Sequence, residues 1–338
     1  MSKFSKISLW LIENMIWVIL LVYVVINIFV TPKFVTYGNI TNIFYHSSVL
    51  SMLVLAQGLV LLLGYMDLSI ESTLAFAPVI SVLLLVKYIP WITPVGAIVL
   101  TLLLGCLVGA FNGTMITRFG INPFLQTLSL LIILRGIVIF LLPVSIFEFS
   151  DVYSAPGALR TIFNIPVAVF IMIFVFIIFH FVLNKTIFGR HLIATGGNNL
   201  SAYISGVNTK RVVFITFVIS GLLAALAGLI MAGRQQAVTN AMGDGMVFES
   251  FAGAILGGVS LKGGVGKVSG MLGGVLLLGA IDNSLNLLGI NVFLIYASKG
   301  LLIFVAIVLD QAKVKLKNYI YYREDMRRFK ETKEIAGV

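Results

Sequence analysis

Two carboxylates stand four residues apart in "LLLGYMDLSIESTLAFAPVI", residues 61–80: Asp67 and Glu71. Both are flanked by apolar sequence, where an ionisable side chain is costly and is held for a reason. Two carboxylates that share a site can divide acid and base roles for hydrolysis. A single buried carboxylate can serve as a proton or sodium site, and Asp282 in a later apolar stretch joins Asp67 and Glu71 as a candidate for that role. Against both chemistries, Asp67 is followed by Ser69 and Ser72, residues that start helices well, and an acid near a helix N-terminus is favoured by the free amides and the dipole. "MDLSIES" therefore reads as the start of a helix near the membrane interface, with Asp67 also available to a neighbouring helix.

Other motifs carry less chemistry. "KGGVGK", 262–267, approaches a phosphate loop, but Gly266-Lys267 is followed by Val268 and Leu261 stands where the first glycine belongs. It reads as a tight turn, so no ATP site is expected by that route. An intramembrane aspartyl protease would need Tyr-Asp and Gly-x-Gly-Asp. The chain has Tyr65-Met66-Asp67 and Met242-Gly243-Asp244-Gly245, on loops expected at opposite ends of the spans. His46, His180 and His191 are far apart and Cys106 is alone, so neither a metal-ligand spacing nor an internal disulfide is available. The chain is not expected to be an enzyme or to hold a cofactor or metal of its own.

The elements that must position these residues are membrane helices. Of 338 residues 59% are hydrophobic and only 11% charged, against about a quarter charged in a soluble domain. Ten spans fit the pattern, at about 9–30, 43–64, 72–89, 92–117, 124–143, 162–183, 212–233, 247–261, 268–289 and 291–309. The expected fold class is all-α, a polytopic helical membrane protein. The eighth span is short, and a re-entrant or broken helix is the alternative there. The first has Lys3 and Lys6 in front, but its apolar run exceeds a signal peptide's and no cleavage site follows, so it reads as retained. The 145–161 loop, with Glu148, Asp151, Pro156 and Gly157, is too short for a folded domain.

Charge placement gives an orientation. With the N-terminus inside, Arg118, Lys185, Arg190, Lys210, Arg211, Lys262 and Lys267 face the cytoplasm, and Lys33, Lys87, Arg160 and Arg234 face out. Both termini are then cytoplasmic. The net charge of +10 owes much to the eight basic residues between Lys313 and Lys333, which the positive-inside rule explains without nucleic acid. The chain divides into a transmembrane domain, 1–311, and a basic cytoplasmic tail, 312–338.

The longest internal cytoplasmic segment, about 184–211, has the marks of a capped loop. Gly196 and Gly197 allow a sharp turn, Asn198 can cap a short helix "NLSAYIS", and Gly206 can end it in the left-handed region. Ala202 and Ser205 would offer small side chains to a groove, with Tyr203 as an anchor.

Five ordered segments resemble permeases of ABC importers of the ribose type. "MDLSIES" is similar to their Ile-Asp-Leu-Ser-Val-Gly-Ser, and "FNGTMITRFGINPFLQTLSLLIILRG" (111–136) to their Asn-Gly, Pro-Phe, Thr-Leu and Arg-Gly segment. "ATGGNNLSAYISGVN" (194–208) resembles their Ala-x-Gly-Gly-Asn loop. "AGAILGGVSLKGGVGKVSGMLGG" and "IDNSLNLLGI" follow in order. The match runs from about residue 55 to Asp310; Tyr65-Met66 and Glu71, the last in place of a glycine, depart from it.

The resemblance implies a permease subunit in a bacterial cell membrane that carries a monosaccharide, or else a nucleoside or another small polar metabolite. An ion-coupled secondary transporter is the reading from another class. An extracytoplasmic binding protein would deliver the solute, cytoplasmic ATPase subunits would bind ATP, and a second permease chain would complete the pathway. The 184–211 loop would be the coupling helix on the ATPase. Polar residues within or beside spans, Asp67, Asn112, Gln126, Thr127, Arg135, Asn283 and Asn286, are candidates for the pathway or for bonds between helices. Arg135, in the middle of span five, must face the protein interior with a partner, and Asp67 and Asp282 are its candidates.

Overall fold

A computed structural model describes residues 14–308 except 90, 162 and 306, together with 315, 320 and 322. The expected start of span one at 9–13 and nearly all of the 312–338 tail lie outside the described residues.

The described elements are helices: α1 (Met15–Val30), α2 (Tyr37–Leu62), α3 (Ile70–Leu83, continued by a π-helical turn Leu84–Tyr88), α4 (Pro94–Arg118), α5 (Pro123–Leu141), α6 (Asp151–Ala158), α7 (Val167–Lys185), α8 (Ile187–Gly197), α9 (Asn199–Ile204), α10 (Thr209–Gln235), α11 (Met246–Leu256) and α12 (Val268–Leu287). A further apolar helix, α13, covers Val292–Val305. Two isolated β-bridges, Ile146 to Val238 and Arg160 to Pro166, clip the loops together. The all-helical expectation holds.

Seven of these helices are long and apolar enough to cross a membrane; α1, α11 and α13 are shorter. Local sequence sets their ends. Thr93 and Asn122 cap α4 and α5, each with a proline at the first helical position. Thr186, Asn198 and Asn208 cap α8, α9 and α10. The 145–161 loop is not wholly irregular: Ser150 caps α6 within it.

α2 and α10 form the centre. From Ser47 to Leu62 every residue of α2 is buried, which is why this helix is apolar all round rather than on one stripe. α10 packs on α2, α3, α4 and α6. It meets α4 at backbone distance, because a Cβ on Gly109 would stand 2.1 Å from the Phe217 carbonyl oxygen. Small residues allow that approach where lipid gives helices no hydrophobic reason to associate.

α3 and α11 do not start at the ends of the bundle. After α2 the chain passes through Tyr65–Leu68 without regular structure, buried from Asp67 onward. α11 has 11 residues, about 16 Å at the helical rise, too short to span. Irregular backbone at membrane depth is tolerated where protein covers it: Asp67–Ser69 before α3 are buried, and in α11 Val247 is buried just behind the exposed Gly245.

Candidate functional site

Asp67 lies at the first of these starts and is 1% exposed. Its Oδ1 accepts from the Ser69 amide at 3.0 Å and from the Ser69 hydroxyl at 2.6 Å. Its Oδ2 accepts from the Ser220 hydroxyl of α10 at 2.8 Å. Ser220 is eleven residues into α10, about 16 Å from its start. Asp67 therefore begins a helix as the sequence suggests, but deep in the bundle rather than near an interface. The difference arises because residues 64–69 fold back between helices, which hydropathy does not register.

The polar chain continues outward from Ser69. Asn112 Nδ2 donates to the Ser69 hydroxyl at 2.8 Å, and Gln126 Nε2 donates to Asn112 Oδ1 at 3.2 Å. Every bond runs toward the carboxylate, from α5 through α4 to the start of α3. Thr127, next to Gln126, turns its hydroxyl to the Pro123 carbonyl at 2.9 Å and approaches the Met66 carbonyl at 3.4 Å. Four of the sequence candidates thus meet in one buried network. Ser69, read from the sequence only as a helix starter, and Ser220, not singled out, also belong to it; hydroxyls inside apolar spans were the available signal.

Arg135 lies twelve residues into α5, about 18 Å along, and faces the interior as expected. Its partner is neither Asp67 nor Asp282 but Glu71: Nη2 stands 3.0 Å from Glu71 Oε1, with the side chains 17% and 7% exposed. Nη1 donates to the carbonyls of Asn240 and Met242 at 2.9 and 3.1 Å. Glu71 Oε2 accepts the amide of Val247 at 3.2 Å. The 236–246 segment, expected as an outer loop away from Asp67, instead reaches in to the residue four places beyond it. Asp67 and the exposed Asp244 still form no acid–base pair, since Asp67 is engaged by serines.

The remaining candidates sit apart. Asn283 exchanges amide bonds with Asn39 of α2, both at 2.9 Å. Asn286 is exposed and donates to the Asp282 carbonyl. Asp282 pairs with Lys299 of α13 at 3.1 Å, and Lys299 also reaches Glu249 at 2.8 Å. A lone lysine within span ten was the sequence signal for that triad.

At the loop end, Asn198 Oδ1 accepts the Ser201 amide at 2.8 Å and Gly206 has φ +86°, as the capped-loop reading requires. Gly196 and Gly197 are the last residues of α8 rather than a turn. Their smallness serves contact: a Cβ on Gly196 would stand 1.7 Å from the Leu62 carbonyl oxygen. The Gly264 amide donates to that same oxygen at 2.8 Å, so the "KGGVGK" turn packs here. Ala202 is buried within the fold, and Ser205 returns its hydroxyl to the Ser201 carbonyl. The face turned outward is Leu200, Tyr203 and Ile204, 68%, 66% and 75% exposed.

Residues 39–309 match the family described as branched-chain amino acid transport system / permease component. The chain is 32% identical to the ribose import permease protein RbsC of Escherichia coli (strain K12), over 90% of this chain and 95% of that protein. It is 33% identical to the L-arabinose transport system permease protein AraH of the same organism, over 94% and 96%. It is also 33% identical to the galactose/methyl galactoside import permease protein MglC of Salmonella typhimurium, over 94% and 100%. No solved structure matches the chain.

Proposed function

The chain belongs to the branched-chain amino acid transport system / permease component family, and from that premise we propose that it is the membrane permease subunit of an ABC importer for a monosaccharide. The observation that carries this reading is near full-length similarity to permeases named for three different sugars. Chemistry and movement are divided: a partner ATPase binds and hydrolyses ATP, an extracytoplasmic binding protein delivers the sugar, and a second permease chain completes the pathway. This subunit makes and breaks no covalent bond.

The buried arrangement supports a moving pathway. Two short-cut helices, α3 and α11, begin inside the bundle, and their starts are joined through Glu71. Helix ends that meet at a side chain can shift relative to each other with fewer backbone bonds to break than a continuous span. Asn112, Gln126 and Thr127 offer groups of the kind that a sugar hydroxyl exchanges for water. Asp67 and Glu71, which an ion-coupled carrier would use, are engaged by serines and by Arg135.

For coupling, α8 leans on the end of α2 and on the 262–267 turn, α9 packs on α8 and α10, and this joined unit is the proposed seat on the ATPase. A push on α9 passes through Gly196 to Leu62, five residues before Asp67.

The test is uptake of labelled D-ribose, L-arabinose and D-galactose into liposomes holding the permease and its ATPase, with binding protein outside. Accumulation of one of them is expected only with ATP inside. Accumulation driven by a proton or sodium gradient without ATP overturns the reading.

A further inference from the structure

Two arginines without an acidic partner converge on one aromatic ring at the end of the bundle that carries α6. The guanidinium of Arg160 lies 5.5 Å, and that of Arg234 6.0 Å, from the centroid of the Tyr45 ring. Among the described residues the Arg160 guanidinium donates only to Asn164, to its carbonyl at 3.4 Å and its Oδ1 at 3.3 Å. Arg234 donates to the His46 carbonyl at 3.3 Å. Among the described residues neither forms an ion pair. Glu148, Asp151 and Asp244 are exposed, and none of them neutralises either arginine. Attraction to a ring face contributes about 0.5–1 kcal/mol at an exposed site, and two gathered cations repel.

The place is built rather than loose. The Tyr45 hydroxyl donates to the Gly157 carbonyl at 2.7 Å, and the Tyr37 hydroxyl to the Phe163 carbonyl at 2.7 Å. The turn that carries Arg160 is closed by Thr161 N to Ile165 O and Val167 N to Leu159 O, both at 2.9 Å. Asn164 adopts φ +59° there. Beside Arg160 opens a cavity of about 230 Å³ lined by Tyr37, Gly38, Thr41, Asn42, Arg160 and Asn164. Tyr37 in its lining is exposed, and so are Leu159 and Phe163, the chain neighbours of Arg160 and Asn164. Aromatic residues around arginine are the composition of a protein interface core, whereas a lipid headgroup needs only a long side chain reaching the interface.

We propose that Arg160 and Arg234, with this cavity, form the seat for an acidic side chain of an extracytoplasmic protein, the sugar-binding protein of the importer. A carboxylate is the fitting group because a guanidinium offers it two parallel hydrogen bonds. The inference rests on the proposed function and on the outward placement of this end.

The experiment follows ATP hydrolysis in the reconstituted permease–ATPase complex against the concentration of its binding protein, loaded with whichever of D-ribose, L-arabinose or D-galactose it carries. Arg160→Glu is expected to raise the half-maximal concentration at least tenfold at low salt, and Arg160→Gln by less. High salt, which screens exposed charge pairs, should narrow the gap. Thermal midpoints of the purified complexes check that both variants fold. An unchanged half-maximal concentration for Arg160→Glu, with stimulation intact in the wild type, overturns the seat alone. A loss that follows the phosphatidylglycerol content of the liposomes while the half-maximal concentration stays fixed assigns the arginines to lipid and also overturns it. No stimulation of the wild type by any loaded binding protein overturns the importer reading, and the seat with it.

Discussion

The carboxylate of Glu71 accepts the backbone amide of Val247 at 3.2 Å, so a side chain from the first turn of α3 caps the start of α11. The cap residue of α11 itself, Gly245 at φ +77°, has no side chain to offer. A helix that starts inside a bundle cannot turn its first amides to water, and the groups that satisfy them must come from elsewhere in the fold. A carboxylate suits the place because the partial positive charge of a helix N-terminus attracts it. Arg135 holds the other oxygen of the same group and two carbonyls of the incoming segment. One buried ion pair thereby ties α3, α5 and α11 at a single depth.

Removing one member leaves the other charged and enclosed. Glu71→Leu and Arg135→Leu are each expected to cost about 3–5 kcal/mol of stability, the range for breaking a buried pair. The double variant should lose less than the two losses added, since no charge is then stranded. Unfolding in detergent, analysed as a double-mutant cycle, measures this; additive losses would show that the pair is not coupled.

The network at Asp67 predicts a smaller effect. Ser220→Ala takes away the donor to Oδ2 and leaves a buried carboxylate oxygen unsatisfied, with an expected loss of about 1–3 kcal/mol. Ser129→Ala, on the exposed side of α5 where the hydroxyl only returns to the Leu125 carbonyl, should stay within about 0.5 kcal/mol. Equal midpoints for Ser220→Ala and the wild type would mean that Asp67 does not need α10.

Much of this was legible in the sequence, and what was not has a physical reason. Apolar runs of helical length give the all-helical class, with seven of the ten expected spans long and apolar enough to cross, and Asn198 marks where α9 begins. A mid-span arginine announces a buried partner, because isolation there is too costly. Which partner is a different matter. Asp67, Glu71 and Asp282 are equally acidic on paper, and the choice of Glu71 depends on the 64–69 segment folding back into the bundle, where backbone bonds replace the hydropathy signal. The same holds for Ala202: its size suggests a groove, but the short helix α9 has only six residues, and which side packs inward depends on where α8 and α10 hold it.

Orientation gives a labelling prediction. In a Cys106→Ser background, Glu148→Cys should react with an impermeant thiol reagent in intact cells, and Asn199→Cys only after the membrane is opened. Both positions are exposed, so a lack of reaction at either is not burial. Reaction of Asn199→Cys from outside would invert the protein, and would remove α9 from the ATPase side along with Arg160 from the binding-protein side.

The coupling proposal makes the last prediction, and the structure changes which substitutions test it. Ala202→Trp forces a large side chain into the fold and should lower the amount of protein in the membrane, which says nothing about docking. Gly206→Val strains a position at φ +86°, where a β-branched residue is disfavoured, and Gly196→Ala brings a methyl against the Leu62 carbonyl. Both perturb the unit from inside. The exposed face isolates contact: Tyr203→Ala and Ile204→Asp change side chains that are 66% and 75% exposed and should leave membrane abundance near that of the wild type. Each should reduce co-purification of the ATPase and abolish sugar-stimulated ATP hydrolysis in liposomes. Gly196→Ala should differ in kind, keeping the ATPase bound while losing transport, because it alters how α8 bears on α2 and not what α9 presents. If Tyr203→Ala and Ile204→Asp both retain the ATPase and full stimulation, the partner docks elsewhere, and the neighbouring 262–267 turn with its exposed Val265 is the next face to substitute.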